Sequence, residues 1–190
     1  MRTFERVLRR TGLPLRMSAG YNPRPHISLP VPLGVGMEGL DEVMEFDLGD
    51  WVSPSQIERK LQEQLPQGLS LKSLALVGAT EAARPQEVTY RVAPRGKVQD
   101  DVRLSPEALE RLIARKEVPA RRIRKGRQKV VNIRPFILSL SRDGEDIVLR
   151  AKAGPKGSTR PEEILTALGF DETAGRSQFR IVRSRVRLAN

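Results

Sequence analysis

Apolar and polar positions alternate along the chain in two runs of elements that meet near residue 80. Over "MRTFERVLRRT", Met1, Phe4, Val7 and Leu8 recur on one helical face with Arg2, Arg6 and Arg9 elsewhere, and Gly12 is placed to end the helix. Period-two alternation follows over His26 to Leu33, through Ile27, Leu29, Val31 and Leu33, and again near Glu42 to Leu48. Pro30 and Pro32 mark the first of these as an edge or interrupted strand. "SPSQIERKLQEQL" predicts a helix with Ser53 as N-cap, Pro54 at its first position, Gln56 closing a capping box, and Ile57, Leu61 and Leu65 on one face. A strand is predicted over Leu69 to Val77. The first run therefore reads helix, strand, strand, helix, strand.

"GATEAARPQ", residues 78 to 86, is poor in large apolar residues and predicts a boundary. Beyond it "EVTYRV" alternates as a strand, and "SPEALERLIARK" is a helix capped by Ser105 with Pro106 at its start. "KVVNIRPFILSLSRDGEDIVLRAKA" predicts a hairpin turning at Asp143-Gly144, and "TRPEEILTALGF" a helix with a Thr159 to Glu162 capping box. "SQFRIVRSRVRLA" closes the chain as a strand. Strand, helix, strand, strand, helix, strand is the order of a ferredoxin-like unit. The expected fold is α+β, with two tandem ferredoxin-like (βαββαβ) halves built on antiparallel sheets, residues 1–80 and 81–190. The first half lacks its opening strand. The missing strand has two readings, a truncated start of the sequence or completion of the half by another strand or chain; because Met1 falls inside a helix with no N-cap ahead of it, truncation is the expected one.

Composition narrows the chemistry. With no cysteine and one histidine, thiolate-held zinc and iron-sulfur clusters are excluded and a histidine metal site nearly so, and no cofactor is expected. No apolar run approaches a bilayer span and no signal-peptide core follows Met1, so a cytoplasmic protein is expected, without membrane contact. The formal charge of +11 points to a polyanionic partner, most commonly nucleic acid.

Three segments carry candidate contacts. "RKEVPARRIRKGRQKVVNIR", residues 115 to 134, sets nine basic residues against one acidic residue, and Arg121, Arg122, Arg124, Lys125, Arg127 and Lys129 are the expected phosphate contacts. In the last strand Arg183, Arg185 and Arg187 share one parity, which predicts a basic stripe on the solvent face over buried Val182, Val186 and Leu188. In "YNPRPHISLPVPLGVG" the Asn22-Pro23 and Arg24-Pro25 pairs force extended backbone, so Tyr21, Arg24 and His26 are expected on a rigid presenting loop, a ring for stacking beside donors for a polyanion. Gly154, Lys156 and Gly157 precede a helix but lack the spacing of a nucleotide-hydrolysing loop, and are read as structural. Glu45 and Asp47 share one side of a strand and are expected to face solvent.

"FERVLRRTGLPLRMSAGYNPRPHISLPVPLGVG", with the acidic "DEVMEFDL" and the later "VNIRPFI" and "TRPEEILTAL", resembles the uncharacterised radical-SAM-linked protein family, encoded beside or fused behind radical S-adenosylmethionine proteins. Gly20, Tyr21, Asn22, Pro23 and Pro25 match its most specific segment, G-[FY]-N-P-x-P. The family commonly has Lys where His26 stands, and continues upstream with a strand and a Ser-His segment that this sequence lacks. The resemblance implies an accessory role beside a radical enzyme. Three functions follow as expectations: a non-catalytic RNA-binding or substrate-presenting module; a metal-independent endoribonuclease using His26; and a scaffold that docks the radical SAM protein by strand addition.

Overall fold

The computed structural model describes residues 2–78, 81–124, 126–155, 157–171 and 177–189, with the side chain of Arg124 left aside. The chain packs as two compact units, Met1–Pro30 with Val43–Ala83, and Val31–Glu42 with Arg84–Asn190. A single cut near residue 80 therefore does not describe the division, because residues 31–42 fold with the second unit.

In the first unit α1 (Arg2–Arg10) and α2 (Pro54–Gln64) bury Val7, Leu8, Ile57 and Leu61 against Leu13, with Leu15, Ile27, Met44 and Phe46 packed around them. The 3.6-residue spacing of these side chains is what places them on facing stripes, and truncating Leu61 to alanine removes about 2–5 kcal/mol. The expected strands are short. β1 (Ile27–Ser28) pairs antiparallel with β3 (Glu45–Phe46), while residues 69–77 form no strand and Leu76 and Val77 are exposed. Proline explains the shortness of β1: Pro25, Pro30 and Pro32 have no N–H to give a ladder. The first unit thus shows a two-stranded sheet among its described residues, where a ferredoxin-like half without its opening strand is expected to show three strands. Ser53 does precede α2, but its side chain makes no capping bond; its hydroxyl lies 3.4 Å from that of Ser55.

The second unit is built on a five-stranded sheet in the order β2-β9-β4-β8-β7. β4 (Pro85–Pro94), β7 (Ile137–Asp143), β8 (Asp146–Lys152) and β9 (Phe179–Leu188) are antiparallel neighbours, and β2 (Glu38–Gly39) runs parallel to β9. Alternation in β4 and β8 sorts Val88, Tyr90, Val92, Ile147, Leu149 and Ala151 to one buried face. α3 (Pro106–Ala114) adds Leu109 and Leu112 to the core, and α4 (Pro161–Ala167) adds Ile164 and Leu165. Ser105 caps α3 as expected, its hydroxyl accepting the Ala108 N–H at 3.2 Å. The β7–β8 loop falls at Gly144–Glu145, one residue beyond the expected turn, because Asp143 pairs with Asp146. Phe170 meets Phe179 edge to face at 5.1 Å, under the guanidinium of Arg103.

The last strand corrects a prediction. Thr89 pairs with Arg185 but Tyr90 with Arg183, so Ser184 is an extra residue, a β-bulge that reverses parity. Phe179, Ile181 and Arg183 turn to the buried face before it, and Val186 after it, whereas Arg185 and Arg187 turn to solvent. Arg183 is 1% exposed and does not belong to a solvent stripe.

Candidate nucleic-acid interface

The densest basic segment, expected as a charged connection from helix to strand, is a two-stranded antiparallel hairpin. β5 (Pro119–Arg124) and β6 (Arg127–Asn132) pair from Pro119↔Asn132 to Arg124↔Arg127. At its closed end Arg124 pairs with Arg127, and Gly126 has φ 73°, a left-handed conformation that favours glycine there. The hairpin has a fixed root. Asn132 Oδ1 accepts the N–H groups of Val118 at 3.0 Å and Arg134 at 3.1 Å, and Val118 and Ile133 are fully buried.

Arg122 is spent on that root. Its guanidinium gives two bonds to the Glu163 carboxylate, at 2.6 and 2.8 Å, and one to the Ser158 carbonyl at 2.6 Å. Glu163 also accepts the backbone N–H of Arg160 at 3.0 Å and the Thr159 hydroxyl at 3.3 Å, so it, rather than the expected Glu162, closes the start of α4. Arg121, Arg127 and Lys129 are exposed and make no ion pair among the described residues. Lys125 lies outside the described residues, as does the side chain of Arg124, though its backbone ends β5. Lys156 lies outside them too. Gly157, beside it, has a steric reason to be glycine, since a Cβ there would run into the Phe136 ring.

The predicted contacts of the second unit thus separate. The hairpin is tied to α4 through Arg122 and Glu163, while Arg185 and Arg187 stand with Thr89, Arg150 and Lys152 on the face of the sheet opposite Val88 and Leu149. There Arg150 donates to Glu87 at 2.7 and 3.0 Å. That bond, with Arg187 and Arg185 nearby, holds the Glu87 carboxyl below the usual carboxylate range despite its partial burial. Sequence reasoning passed over Glu87 and Arg150, though their alternation with Val88 and Leu149 assigns both to the outer face.

In the first unit the Tyr21 loop is a tight projection. Ser18 N–H donates to the Arg24 carbonyl at 2.8 Å, Arg24 N–H to the Ser18 hydroxyl at 3.0 Å, and Arg9 to the Pro23 carbonyl at 2.6 Å. Tyr21 is wholly exposed at its tip. His26 is not on a tip with Tyr21; it sits in a short ladder, its N–H given to the Arg16 carbonyl and its own carbonyl taken by Asp47 N–H. This register brings its Nδ1 to 3.3 Å from Asp47 Oδ2. Glu45, paired with Asp47 in the sequence reading, instead accepts the Ala83 N–H at 2.5 Å.

Residues 1–161 match the family described as an uncharacterized protein conserved in bacteria (DUF2344), and the chain belongs to that family. No curated protein and no solved structure matches it. No helix among the described residues is long and apolar enough to cross a membrane.

Proposed function

We propose that this chain is a non-catalytic RNA-binding module that presents RNA to a radical S-adenosylmethionine enzyme. The observation that carries the RNA reading is the β5–β6 hairpin: residues 119–132, with six basic residues and no acidic one, form an arm with a fixed root and exposed Arg121, Arg127 and Lys129. Such a ribbon places cations where phosphate oxygens can reach several of them at once. The radical enzyme enters through the sequence resemblance alone. The antiparallel order β9-β4-β8-β7 supports reading the second unit as a ferredoxin-like half that carries the arm. In the first unit the exposed Tyr21, on the same loop as Arg24, supports a role for that loop in orienting a base.

Fluorescence anisotropy with a structured RNA across a salt titration tests this. Steep loss of affinity with salt, with the RNA intact on a gel, is the expected result. Absence of binding at low salt overturns the reading. A second reading, a metal-independent endoribonuclease, is favoured by one observation, the Asp47 carboxylate at His26 Nδ1, which leaves Nε2 to act as a base. His26→Ala separates the two, because it abolishes cleavage in the second and leaves affinity nearly unchanged in the first.

A further inference from the structure

The face of the second unit's sheet that carries Thr89 and Arg150 holds an open concavity of about 450 Å3 lined by Glu87, Thr89, Arg150, Ser184, Arg185 and Arg187. The bulge at Ser184 creates it in part: by reversing parity it turns Arg185 and Arg187 outward, opposite Thr89 and Glu87 of β4. The two arginines are two residues apart on one strand, so their Cα atoms are separated by roughly 7 Å. Both are exposed and neither makes an ion pair among the described residues. Arg150, in contrast, is held by Glu87. The lining carries three guanidinium groups against one carboxylate, an excess of two positive charges, which is the charge of two phosphodiester groups. Ser184 donates its hydroxyl to the Thr89 carbonyl at 3.3 Å, which draws that side chain in toward β4. The lining has no aromatic ring on which a base could stack, so its chemistry is directed at anionic oxygens.

We infer that this concavity binds two linked phosphate groups, the chemistry shared by a diphosphate ester and by consecutive phosphates of an RNA strand, on Arg185 and Arg187. Glu87 is an internal competitor: it occupies Arg150 in the free protein and yields part of that guanidinium when phosphate arrives. The site is separate from the hairpin and stands whether or not the hairpin binds RNA.

The test is titration calorimetry of the full chain with inorganic pyrophosphate and, in a second arm, with a short RNA oligonucleotide, both at low salt. Arg185→Ala/Arg187→Ala is expected to weaken binding about tenfold or more, since each arginine supplies charge-assisted bonds. Glu87→Gln is expected to tighten it several-fold by releasing Arg150. Arg121→Ala/Arg127→Ala/Lys129→Ala is expected to leave pyrophosphate affinity unchanged, which separates this site from the hairpin. Loss in both arms indicates a site open to small diphosphates and RNA alike, and loss in the oligonucleotide arm alone indicates an RNA strand. The inference is overturned if neither probe binds, if the double substitution leaves both affinities unchanged, or if Glu87→Gln weakens binding while the thermal midpoint holds.

Discussion

Arg183 Nε donates to Glu42 Oε1 at 2.8 Å, joining positions 141 residues apart in the sequence. The same guanidinium donates to the Val31 carbonyl at 2.6 Å, so both ends of residues 31–42 are fastened to β9 by one side chain. Between them Leu40 N–H reaches the Arg183 carbonyl at 2.9 Å. This is why a segment that precedes half of the first unit in sequence folds with the second. Arginine suits the position because its planar fork satisfies a carboxylate and a carbonyl together.

Removing that side chain strands a carboxylate and a carbonyl beside the buried face. Arg183→Ala is expected to cost about 3 kcal/mol, the lower end for breaking a buried pair because Glu42 keeps some contact with water. Arg185→Ala, one turn of the pleat away and exposed, is expected to change stability by less than about 0.5 kcal/mol. Urea denaturation of both variants checks the contrast.

Two neighbouring arginines of the hairpin should behave oppositely. Arg121→Ala, with Arg127→Ala and Lys129→Ala, is expected to lower RNA affinity and reduce the salt slope by about one unit per lost phosphate contact, with little change in melting temperature. Arg122→Ala, which releases Glu163 and the Ser158 carbonyl, is expected to lower the melting temperature first. Equal effects of Arg121 and Arg122 on melting would contradict the division of labour.

Tyr90 gives the protein an alkaline limit. Burial raises its phenol above the usual value, an effect only partly offset by the bond to Arg183. The unfolded chain therefore releases this proton at a lower pH than the folded one, and stability present below pH about 10 is lost as pH rises through the folded value. Tyr90→Phe should flatten the fall in thermal midpoint above pH about 10, whatever it costs near neutrality.

Glu87 and Asp101 act at the other end of the scale. Both carboxyls lie below their ordinary values, Glu87 through the Arg150 bond and Asp101 through Arg103. The unfolded chain binds their protons first as pH falls, so the stability they contribute is present above the ordinary carboxylate range and lost as pH drops through the folded values. Acid unfolding of Glu87→Gln should show a shallower decline below pH about 4 than the parent.

Much of the second unit was legible because its strands face a core on one side. Val88, Tyr90 and Val92 alternate without interruption, as do Ile147, Leu149 and Ala151, and the Ser105-Pro106 start of α3 is a local signal. The β9 bulge was also written in the chain: Phe179 and Ile181 are apolar at odd positions and Val186 and Leu188 at even ones, and that change of parity marks an inserted residue. Reading only the second half of the pattern put Arg183 in water. Other features had no local signal. Choosing Glu163 over Glu162 depends on a one-residue offset at the start of α4, and the meeting of His26 with Asp47 depends on the register that pairs Ile27 with Phe46. In the first unit prolines suppress the ladders that alternation alone would predict.

The β5–β6 hairpin pairs with no third strand among those described, so backbone donors and acceptors line its flanks, and Ile123 and Val130 stand exposed at 80% and 59%. Open edges of this composition invite a second copy of the same chain to add itself. The cations that would hold a ligand also keep such copies apart. Purification at high ionic strength, which strips bound polyanion, therefore weakens the repulsion that keeps the arms solitary, and handling this protein means balancing cleanliness against self-association.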